Sequence, residues 1–385
     1  MAVYHFKLLP LTPIHVGTGG TITPENYFVA NKRLTRFDPA AVVRAMAPED
    51  RRKYVALVSG PETNMETALK LLRQHALKTP AAWVYSVELG PDSLTVLSDA
   101  IERLDARRGE VRPLLWNEIK RVAILPGSAI KGAVRTALLS VRVARRAQKD
   151  ASWKETWQRR LPELGSMAQD PPKDSRGVAK LSLELENEVF RRGHNEIEWD
   201  PFRFVKVSDI EVPQEYIRVD RARLFGQNEE NQAGGVQVHV ERISSWSDGG
   251  EPVELDLYLT IEKEERRWHP GIVQFLDSVP TKDYLLGCLR WHYLTRVSRE
   301  AKKFPSLYPH KVLELMQVVQ KSEHGLIRIG RFSHFESLSV EDYRRTLDRR
   351  RRWISEGTSR TFCSPDEQTR LPFGWAMLRL VTQVQ

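Results

Sequence analysis

Short runs of alternating hydrophobic and polar residues at the start of the chain are followed by a helical spacing. Residues 3–11 alternate and predict a strand, and residues 26–37 alternate on both sides of Asn31-Lys32, which predicts a hairpin turning at that pair. Between residues 39 and about 116 the apolar positions recur every three to four residues, as in an amphipathic helix. The pattern therefore predicts a first strand pair followed by a helical insertion at about 39–116.

The rest of the chain contains both strand-like alternation and the helical spacing of apolar residues. Strands are predicted at 203–210, 216–224, 235–241, 254–261 and 375–381, and helices from Ser128 to about Ala147 and at about 270–303, 309–321 and 340–355. Residues 162–180 and 226–235 are predicted to be polar loops. Because strands and helices alternate without the regular period of a parallel barrel, the sequence predicts an α+β fold.

The composition indicates what kind of partner the chain binds and says less about its fold. A hydrophobic share of 41% describes a globular protein, and a net charge of +9 favours a polyanionic partner, although a solvated basic surface would give the same charge. The two cysteines, Cys288 and Cys363, allow neither a disulfide framework nor a Cys-x-x-Cys metal pair. No run approaches the roughly 18 apolar residues of a membrane span, and residues 3–8 are typical of a strand rather than a signal peptide. We therefore expect a cytoplasmic protein without a membrane partner.

The segment from Ile124 to Thr136 carries the most specific chemistry. Its Pro-Gly turn delivers Ser128 to a helix start, with Lys131 in the first turn and Arg135 in the second. Free N–H groups and the helix dipole favour an anion at such a position, and the two cations suit a phosphodiester backbone. A nucleotide-binding P-loop is excluded, because the lysine precedes Gly132 and an alanine stands where the magnesium-binding hydroxyl belongs.

A helical wheel of this segment separates two stripes. The apolar one is expected to face a sheet and contains Ile130, Val134, Ala137 and Val141. The basic one, about 60° wide, contains Lys131, Arg135, Arg142 and Arg146. We interpret this basic stripe as a surface for nucleic-acid backbone, the alternative being an ordinary solvated face.

Four further segments offer binding chemistry, each with a plainer alternative. The loop Gly17-Thr18-Gly19-Gly20 would let a backbone approach closely or would simply turn the chain, and the preceding His15 would contact RNA, act in acid–base chemistry or be structural. Arginine and aromatic residues between Arg328 and Phe335 suit phosphates and unpaired bases, or the two phenylalanines anchor a core. Arg203, Lys206 and Ser208 would share one face of a strand. The run Arg349 to Arg352 is too unspecific to assign.

These motifs resemble a known family. Residues 11–20 resemble the first strand and glycine loop of the repeat-associated RNA-binding (RAMP) superfamily of CRISPR systems, and the Pro-Gly-Ser-x-Ile-Lys-Gly-x-x-Arg-Thr pattern resembles its phosphate-facing helix start. Residues 200–209, 328–332 and 372–375 are similar to segments of the fifth Csm subunit of type III-A effector complexes. The resemblance implies two ferredoxin-like (RRM-like) units, an N-terminal domain at 1–215 containing the insertion and a C-terminal domain at 216–385.

By the same resemblance, the chain is a non-catalytic subunit that binds the 3′ portion of the crRNA, caps the filament and supports crRNA maturation in antiviral defence. The implied protein partners are other Csm subunits, especially the backbone subunit, and the resemblance leaves open contacts with the guide–target duplex, through a thumb hairpin within 211–235, and with host nucleases. The predicted RNA-binding residues are His15, Gly17, Gly19, Gly20, Gly127, Ser128, Lys131, Arg135, Arg142, Arg203, Lys206, Arg328, Gly330, Arg331 and Phe332.

Catalysis is not expected. The backbone subunit of these complexes cuts with an aspartate in the loop after its first glycine segment, whereas residues 19–28 contain Glu25 and no aspartate. No cofactor or metal is expected either, because no paired carboxylates or His-x-x-x-His motif stand out. Two alternatives stay open: a metal-independent endoribonuclease using His15 or His334 as acid–base, and a subunit of a type III-B complex.

Overall fold

A computed structural model describes residues 2–59, 63–191, 200–226, 238–245, 253–262, 281–321, 324–366 and 368–383. Its α-helices in these ranges are α1 Pro39–Ala45, α2 Pro48–Ser59, α3 Met65–Leu77, α4 Pro91–Glu102, α5 Gly127–Lys149, α6 Ala151–Arg159, α7 Pro171–Arg191, α8 Lys282–Lys303, α9 His310–Lys321 and α10 His334–Ser337. Short 3₁₀ helices lie at Pro80–Ala82, Pro201–Phe204, Gln214–Tyr216 and Pro305–Leu307.

The strands in the described ranges are β1 Ala2–Pro10, β2 Tyr27–Ala30, β3 Arg33–Phe37, β4 Trp83–Leu89, β5 Val111–Arg112, β6 Leu115–Asn117, β7 Val122–Leu125, β8 Val205–Val207, β9 Ile210–Pro213, β10 Ile217–Gly226, β11 Val238–Ile243, β12 Leu255–Ile261, β13 Gly325–Arg328, β14 Thr346–Leu347, β15 Trp353–Ile354, β16 Ser359–Cys363, β17 Leu371–Pro372 and β18 Trp375–Gln383. The mixed content confirms the predicted α+β class.

A five-stranded antiparallel sheet joins the two ends of the chain. Its order is β13-β18-β1-β12-β8, and β1 pairs with β18 from Tyr4 opposite Gln383 to Pro10 opposite Ala376. Helix α5 packs against α8 and against β8 and β13 at the two edges of this sheet. The apolar stripe predicted for α5, Ile130, Val134, Ala137 and Val141, is buried in this core. The start of the last strand is thereby placed beside the end of the first.

A second, larger sheet has the order β17-β16-β10-β4-β3-β2, with β11 pairing to β10 and β5. A small third sheet, β6-β7-β9, leads into α5. Both large sheets contain strands from before and after residue 215, so each sheet includes strands of both predicted domains. The number of ferredoxin-like units stays a prediction.

Several elements that were predicted from local sequence patterns are confirmed. The hairpin of β2 and β3 turns at Asn31 and Lys32, which both have positive φ (51° and 59°), as a tight hairpin turn requires. Helix α5 spans Gly127–Lys149, close to the predicted bounds. These confirmed elements are those whose signal is complete within a few neighbouring residues.

Three predictions of secondary structure are wrong. Residues 171–180, the second half of the loop predicted at 162–180, belong to α7, because Val178 and Leu185 give the helix an apolar face that packs on neighbouring elements. The expected arginine-rich helix near 340–355 is a turn between β14 and β15, where the Asp348 carboxylate accepts backbone N–H bonds from Arg350 and Arg352. The helical insertion contains strand β4, which pairs with β3.

Some predictions fall partly outside the described residues. The loop at 226–235, the first residues of the strand at 235–241 and the start of the helix at 270–303 are in this group, as is the tip of a thumb hairpin within 211–235. The described strands β10 and β11 are antiparallel neighbours in the large sheet. No helix in the described ranges is both long enough and apolar enough to cross a membrane.

Candidate nucleic-acid interface

Three segments that are distant in sequence meet at one groove of about 520 Å³. They are the first glycine loop, the first turns of α5 and the loop after β13. We call this cavity the glycine groove, and the residues that line it are Val16, Gly17, Thr18, Gly19, Ser128, Ala129, Gly132, Ala133, Thr136, Arg328, Ile329, Gly330, Arg331 and Leu338. The fold therefore brings the two predicted glycine loops together with the predicted helix start.

Backbone hydrogen bonds hold the groove's loops together. The N–H of Gly374 donates to the Pro13 carbonyl at 2.8 Å, and the N–H of Ile329 donates to the Gly374 carbonyl at 2.9 Å. The N–H of Arg331 donates to the His15 carbonyl at 2.9 Å. Because these bonds link the chain after β1, the loop after β13 and the start of β18, the groove has a backbone framework that does not depend on side chains.

Two glycines are required by this close packing. Gly330 and Gly374 both have a φ of +97°, a conformation that costs other residues energy. A Cβ added at Gly330 would lie 2.4 Å from the His15 carbonyl oxygen, and one at Gly374 would lie 2.4 Å from that of Ile329. Gly330 thus shapes the groove through its backbone, while Gly19 at φ +87° has open space around it.

The α5 wall of the groove is built from small residues. Ser128, Gly132 and Thr136 recur every fourth position, so they lie above one another on one helix face. A Cβ at Gly132 would have no neighbour within 4 Å, and Ser128 is exposed. This face leaves room for a ligand against the helix. Its spacing was readable in the sequence, but the sequence analysis identified only Ser128 among the three.

The first N–H of α5 is already occupied. The Asp209 carboxylate accepts the Gly127 N–H at 2.7 Å, and a Cβ at Gly127 would lie 2.4 Å from the Val207 carbonyl oxygen. Gly127 is buried, so its predicted contact with RNA is wrong: it is a packing residue that lets α5 approach β8. Any anion at this helix start would use later N–H groups than the first.

Two of the four cations in the basic stripe of α5, Arg135 and Arg146, form ion pairs with described residues, Arg146 with Glu188 at 3.3 Å. Arg135 forms two hydrogen bonds with Asp200 at 2.6 and 3.1 Å and a third with Glu186 at 2.7 Å, over the Phe190 ring. Arg142 also lies over that ring, and burial lowers the pKa of its guanidinium. Both side chains are half-buried and engaged by groups of the protein itself, which disfavours RNA contact, and their predicted contacts with RNA stay predictions. The acidic partners come from α7 and the segment before β8, which the helical wheel could not show.

Lys131 differs from its neighbours on the stripe. It is half-buried, its Nζ lies 5.5 Å from the Phe202 ring centroid, and it has no ion pair with any described residue. Burial and the nearby cations Arg135 and Lys206 lower its pKa. Its predicted role in binding backbone stays a prediction, on the flank of α5 next to the groove wall.

Arg328 and Arg331 have opposite environments although they are three residues apart. Arg328 is fully buried, and its guanidinium binds the Glu300 carboxylate at 2.7 Å and the Phe373 carbonyl at 3.0 Å. Arg331 is exposed at the groove and pairs with no acid among the described residues. The prediction that the Arg328 guanidinium binds RNA is wrong, because it supports the loop from below, whereas Arg331 can reach a ligand.

The strand face predicted from Arg203 and Lys206 is not formed. Arg203 lies in the 3₁₀ helix Pro201–Phe204, with its guanidinium 5.3 Å from the Phe204 ring centroid, and only Lys206 lies within β8. Lys206 is exposed but pairs with Glu262. Neither residue lines the glycine groove. The shared-face prediction is therefore wrong, and any RNA contact by the two would be separate.

The two candidate histidines are structural. His15 is 1% exposed, and its Nδ1 bonds the Glu241 carbonyl at 2.7 Å. Burial lowers its pKa to about 4 and that of His334 to about 3, and His334 Nε2 accepts the Thr361 N–H at 3.0 Å. Both rings are thus neutral at pH 7, and the predicted RNA contact through the His15 side chain is wrong.

Phe332 is half-buried rather than free. Its ring packs at 5.7 Å from the His15 ring and 4.9 Å from Phe373, measured between centroids. The alternative that this phenylalanine anchors the loop is therefore favoured over base stacking. Together with His15 it forms the packed layer beneath the groove.

A buried glutamate organises the first glycine loop and was missed by the sequence analysis. The Glu241 carboxylate accepts hydrogen bonds from Leu114 N–H at 2.9 Å, Trp116 Nε1 at 2.7 Å and the Tyr85 hydroxyl. Gly17 in turn forms a β-bridge with Leu114. Burial raises the pKa of Glu241. An alternating strand gives no sign that one of its polar residues is such a centre.

No group of three or more histidine, cysteine, aspartate or glutamate side chains within the described ranges could hold a metal ion. The groove instead offers backbone amides, small side chains and one exposed arginine. Such a set suits a phosphodiester backbone, since backbone N–H groups and arginine both bind phosphate oxygens.

Comparisons with known proteins agree with the motifs. A search of curated proteins found no match. Two solved structures are similar in fold. One is a chain of a type III-A Csm–crRNA–target RNA ternary complex, with a TM-score of 0.61 and 16% identity over 98% of this chain and 100% of that one. The other is Csm5 of T. onnurineus, with a TM-score of 0.57 and 15% identity over 96% of this chain and 99% of that one.

The likeness to Csm5 confirms, at the level of the fold, the resemblance to the fifth Csm subunit. The model of the RAMP superfamily matches residues 7–351. These residues include the first glycine loop, α5 and the loop after β13 that contains Gly330, which we call the Gly330 loop. Since that match covers most of the sequence, the chain belongs to the RAMP superfamily.

Proposed function

We propose that this chain is a guide-RNA-binding subunit of a type III-A Csm complex that caps the complex at the 3′ end of the crRNA. The convergence of both glycine loops and the α5 start on one groove carries this proposal. A shared RNA path needs these elements side by side, and scattered arginines on a basic protein would not produce such a groove. The likeness to a chain of a Csm–crRNA–target RNA complex supports the same partners.

In this role the groove binds backbone rather than bases. Its lining is mainly backbone, small side chains and Arg331, which have no means of distinguishing one base from another. The subunit would therefore accept any guide sequence. Contacts with the adjacent backbone subunit would hold it at the filament end, and occupancy of the groove would protect the 3′ portion of the guide and set where trimming stops.

The proposed role is binding without catalysis. An endonuclease of the alternative kind needs a histidine that exchanges protons near neutral pH while touching the RNA. His15 and His334 have pKa values near 4 and 3 because both are buried, and backbone groups occupy one ring nitrogen of each. The groove itself places no other acid–base pair beside Arg331.

The test places a negative charge in the groove without disturbing the fold. Gly132→Glu has open space and replaces a helix-interior glycine, so it should not destabilise α5. Repulsion of phosphate should weaken binding of single-stranded RNA by the purified chain by at least about tenfold. In assembled complexes we expect guides with shortened or heterogeneous 3′ ends, measured by sequencing the bound RNA.

Gly177→Glu is the matched control. Gly177 is also an exposed helical glycine with open space, it lies on α7, and it does not line the groove. The same change of charge there should leave RNA affinity within about twofold. Equal losses in both variants would reduce the effect to net charge, and normal binding and normal 3′ ends in Gly132→Glu would refute the groove as the RNA site.

A further inference from the structure

A second cavity, of about 980 Å³, lies further along α5. It is enclosed by the C-terminal half of α5, the start of α6, residues 283–299 of α8 and residues 340–343. We call it the α5–α8 cleft. None of the motifs that identified the glycine groove falls in it, and none of the predicted RNA-binding residues lines it.

The cleft presents an aromatic surface. Trp291 lines it with 51% of its surface exposed, although large apolar side chains are normally more covered. Tyr284 lies beside it under the Arg145 guanidinium, at 5.1 Å from the ring centroid, and Arg145 donates a hydrogen bond to the Tyr284 hydroxyl at 3.3 Å. An accessible indole next to arginine-covered tyrosine is a platform on which a planar base can stack.

A buried cation with unused donors forms part of the wall. The Arg296 side chain is 6% exposed, yet its Nε and Nη1 groups make no hydrogen bond with any described residue. Its one ion pair with a described residue, to Glu341 at 3.4 Å, is shared with Arg299. Burial, with Arg344 and Arg299 nearby, lowers the pKa of Arg296 to about 9. A buried guanidinium in this state would be stabilised by an additional anion.

The charges of the cleft favour an anionic occupant. Its cations are Arg145, Lys154, Arg296 and Arg299, and its acids are Asp283, Glu341 and Asp342. Two of the acids are engaged, Asp283 with Lys282 and Glu341 with the arginines above. Arg145 and Lys154 have no ion pair with a described residue, which leaves the cleft with an excess of positive charge.

The cleft adjoins the glycine groove along α5. Thr136 lines the groove and Ser140, one helical turn later, lines the cleft, while Leu338 and Val340 make the same transition on the opposite side. The helix rise from Gly132 to Ala144 is about 18 Å, which is the length of about five stacked nucleotides at roughly 3.4 Å each. A strand lying in the groove could therefore enter the cleft without changing direction.

We propose that the α5–α8 cleft is a second subsite for single-stranded RNA, which takes the nucleotides adjoining those in the glycine groove. Bases stack on Trp291, and phosphates contact Lys154 and Arg145, while the buried Arg296 adds positive charge at the wall. This inference rests on the proposed function and extends it, since it gives the guide end a place that holds bases as well as backbone.

The experiment measures the affinity of the full chain for oligoadenylates of 4 and 10 nucleotides. Trp291→Ala should weaken binding of the 10-mer by about 5- to 100-fold, the effect of one lost stacked base, and leave the 4-mer within about twofold. Trp291→Phe should retain most of the 10-mer affinity. Met65→Ala is the control for an exposed apolar side chain, since Met65 is 54% exposed on α3 and lines neither cavity.

The outcomes separate this proposal from the function on which it rests. Normal 10-mer binding by Trp291→Ala, with Gly132→Glu still impaired, would overturn the cleft subsite and leave the groove in place. A wild-type chain that binds neither oligonucleotide would overturn both. Normal RNA binding by Trp291→Ala together with its loss from assembled complexes would make the cleft a protein-docking surface and overturn the RNA subsite.

Discussion

The glycine groove and the basic stripe occupy adjacent faces of the same helix, α5, and they differ in how far they are open to a ligand. The stripe has the charges expected of an RNA-binding surface, but Arg135 is held by Asp200 and Glu186 and Arg142 packs over Phe190. The groove face has Ser128, Gly132 and Thr136, and no charge of its own. The comparison shows that availability, rather than residue type, decides which cations can bind a polyanion.

The two arginines of the Gly330 loop repeat this contrast at shorter range. Arg328 is sealed beneath the groove by Glu300, and Arg331 is exposed above it. A buried ion pair of this kind fixes the loop, while the exposed arginine is left for the ligand. The following predictions test the division between supporting and binding charges.

We expect the largest loss of stability when acid protonates the buried Glu300 carboxylate. Buried Glu300 has its pKa lowered to about 2, chiefly by Arg328 and Arg360, which outweigh the effect of burial. Because the folded pKa lies below the unfolded one, its contribution is complete above about pH 4.5 and is lost as the pH falls towards 2. That contribution is about 3 kcal/mol.

Denaturant unfolding across this pH range measures the loss. In Glu300→Gln the decline in unfolding free energy with acid should be smaller by about 3 kcal/mol than in the wild type. Glu49→Gln, at an exposed site on α2, should decline as the wild type does. An unchanged decline in Glu300→Gln would show that the pair does not support the loop.

We expect a smaller loss of stability when an arginine of the basic stripe is removed. Arg135→Ala leaves the buried Asp200 without its main partner, so it should lower the unfolding free energy by about 2–3 kcal/mol. Arg159→Ala removes an exposed pair with Glu155 on α6 and should cost within about 0.5 kcal/mol. RNA affinity of folded Arg135→Ala protein should stay within about twofold. If Arg135→Ala protein is stable but binds RNA more weakly, the basic stripe is part of the RNA-binding site.

Much of the fold followed from local patterns, and the site followed in part. The start of α5 and the hairpin at Asn31-Lys32 depend on adjacent residues, and the sequence located both. The glycine loops were also located, because their motifs are contiguous. What the sequence analysis missed depends on distant partners: Asp200 lies 65 residues from Arg135.

The errors in secondary structure come from local sequence that is compatible with two structures. In the sequence Pro171 and Pro172 indicate a loop, whereas in the structure they open α7, in whose first turn proline is tolerated. The sequence predicts a helix through the arginine run, but the nearby Asp348 side chain accepts hydrogen bonds from backbone N–H groups and closes a turn instead. In both cases the local sequence is compatible with two structures; packing of its apolar face decides for α7, and the neighbouring Asp348 side chain decides for the arginine run.

The most direct test of the account is the salt dependence of single-stranded RNA binding in two arginine variants. If RNA lies in the glycine groove, Arg331→Ala should reduce the slope of log affinity against log salt by about 0.7, the value of one lost phosphate contact, for unrelated sequences alike. Arg135→Ala should leave the slope unchanged, because its charge is already neutralised by Asp200 and Glu186. A reduced slope in Arg135→Ala with an unchanged one in Arg331→Ala would contradict the assignment and place the RNA along the stripe.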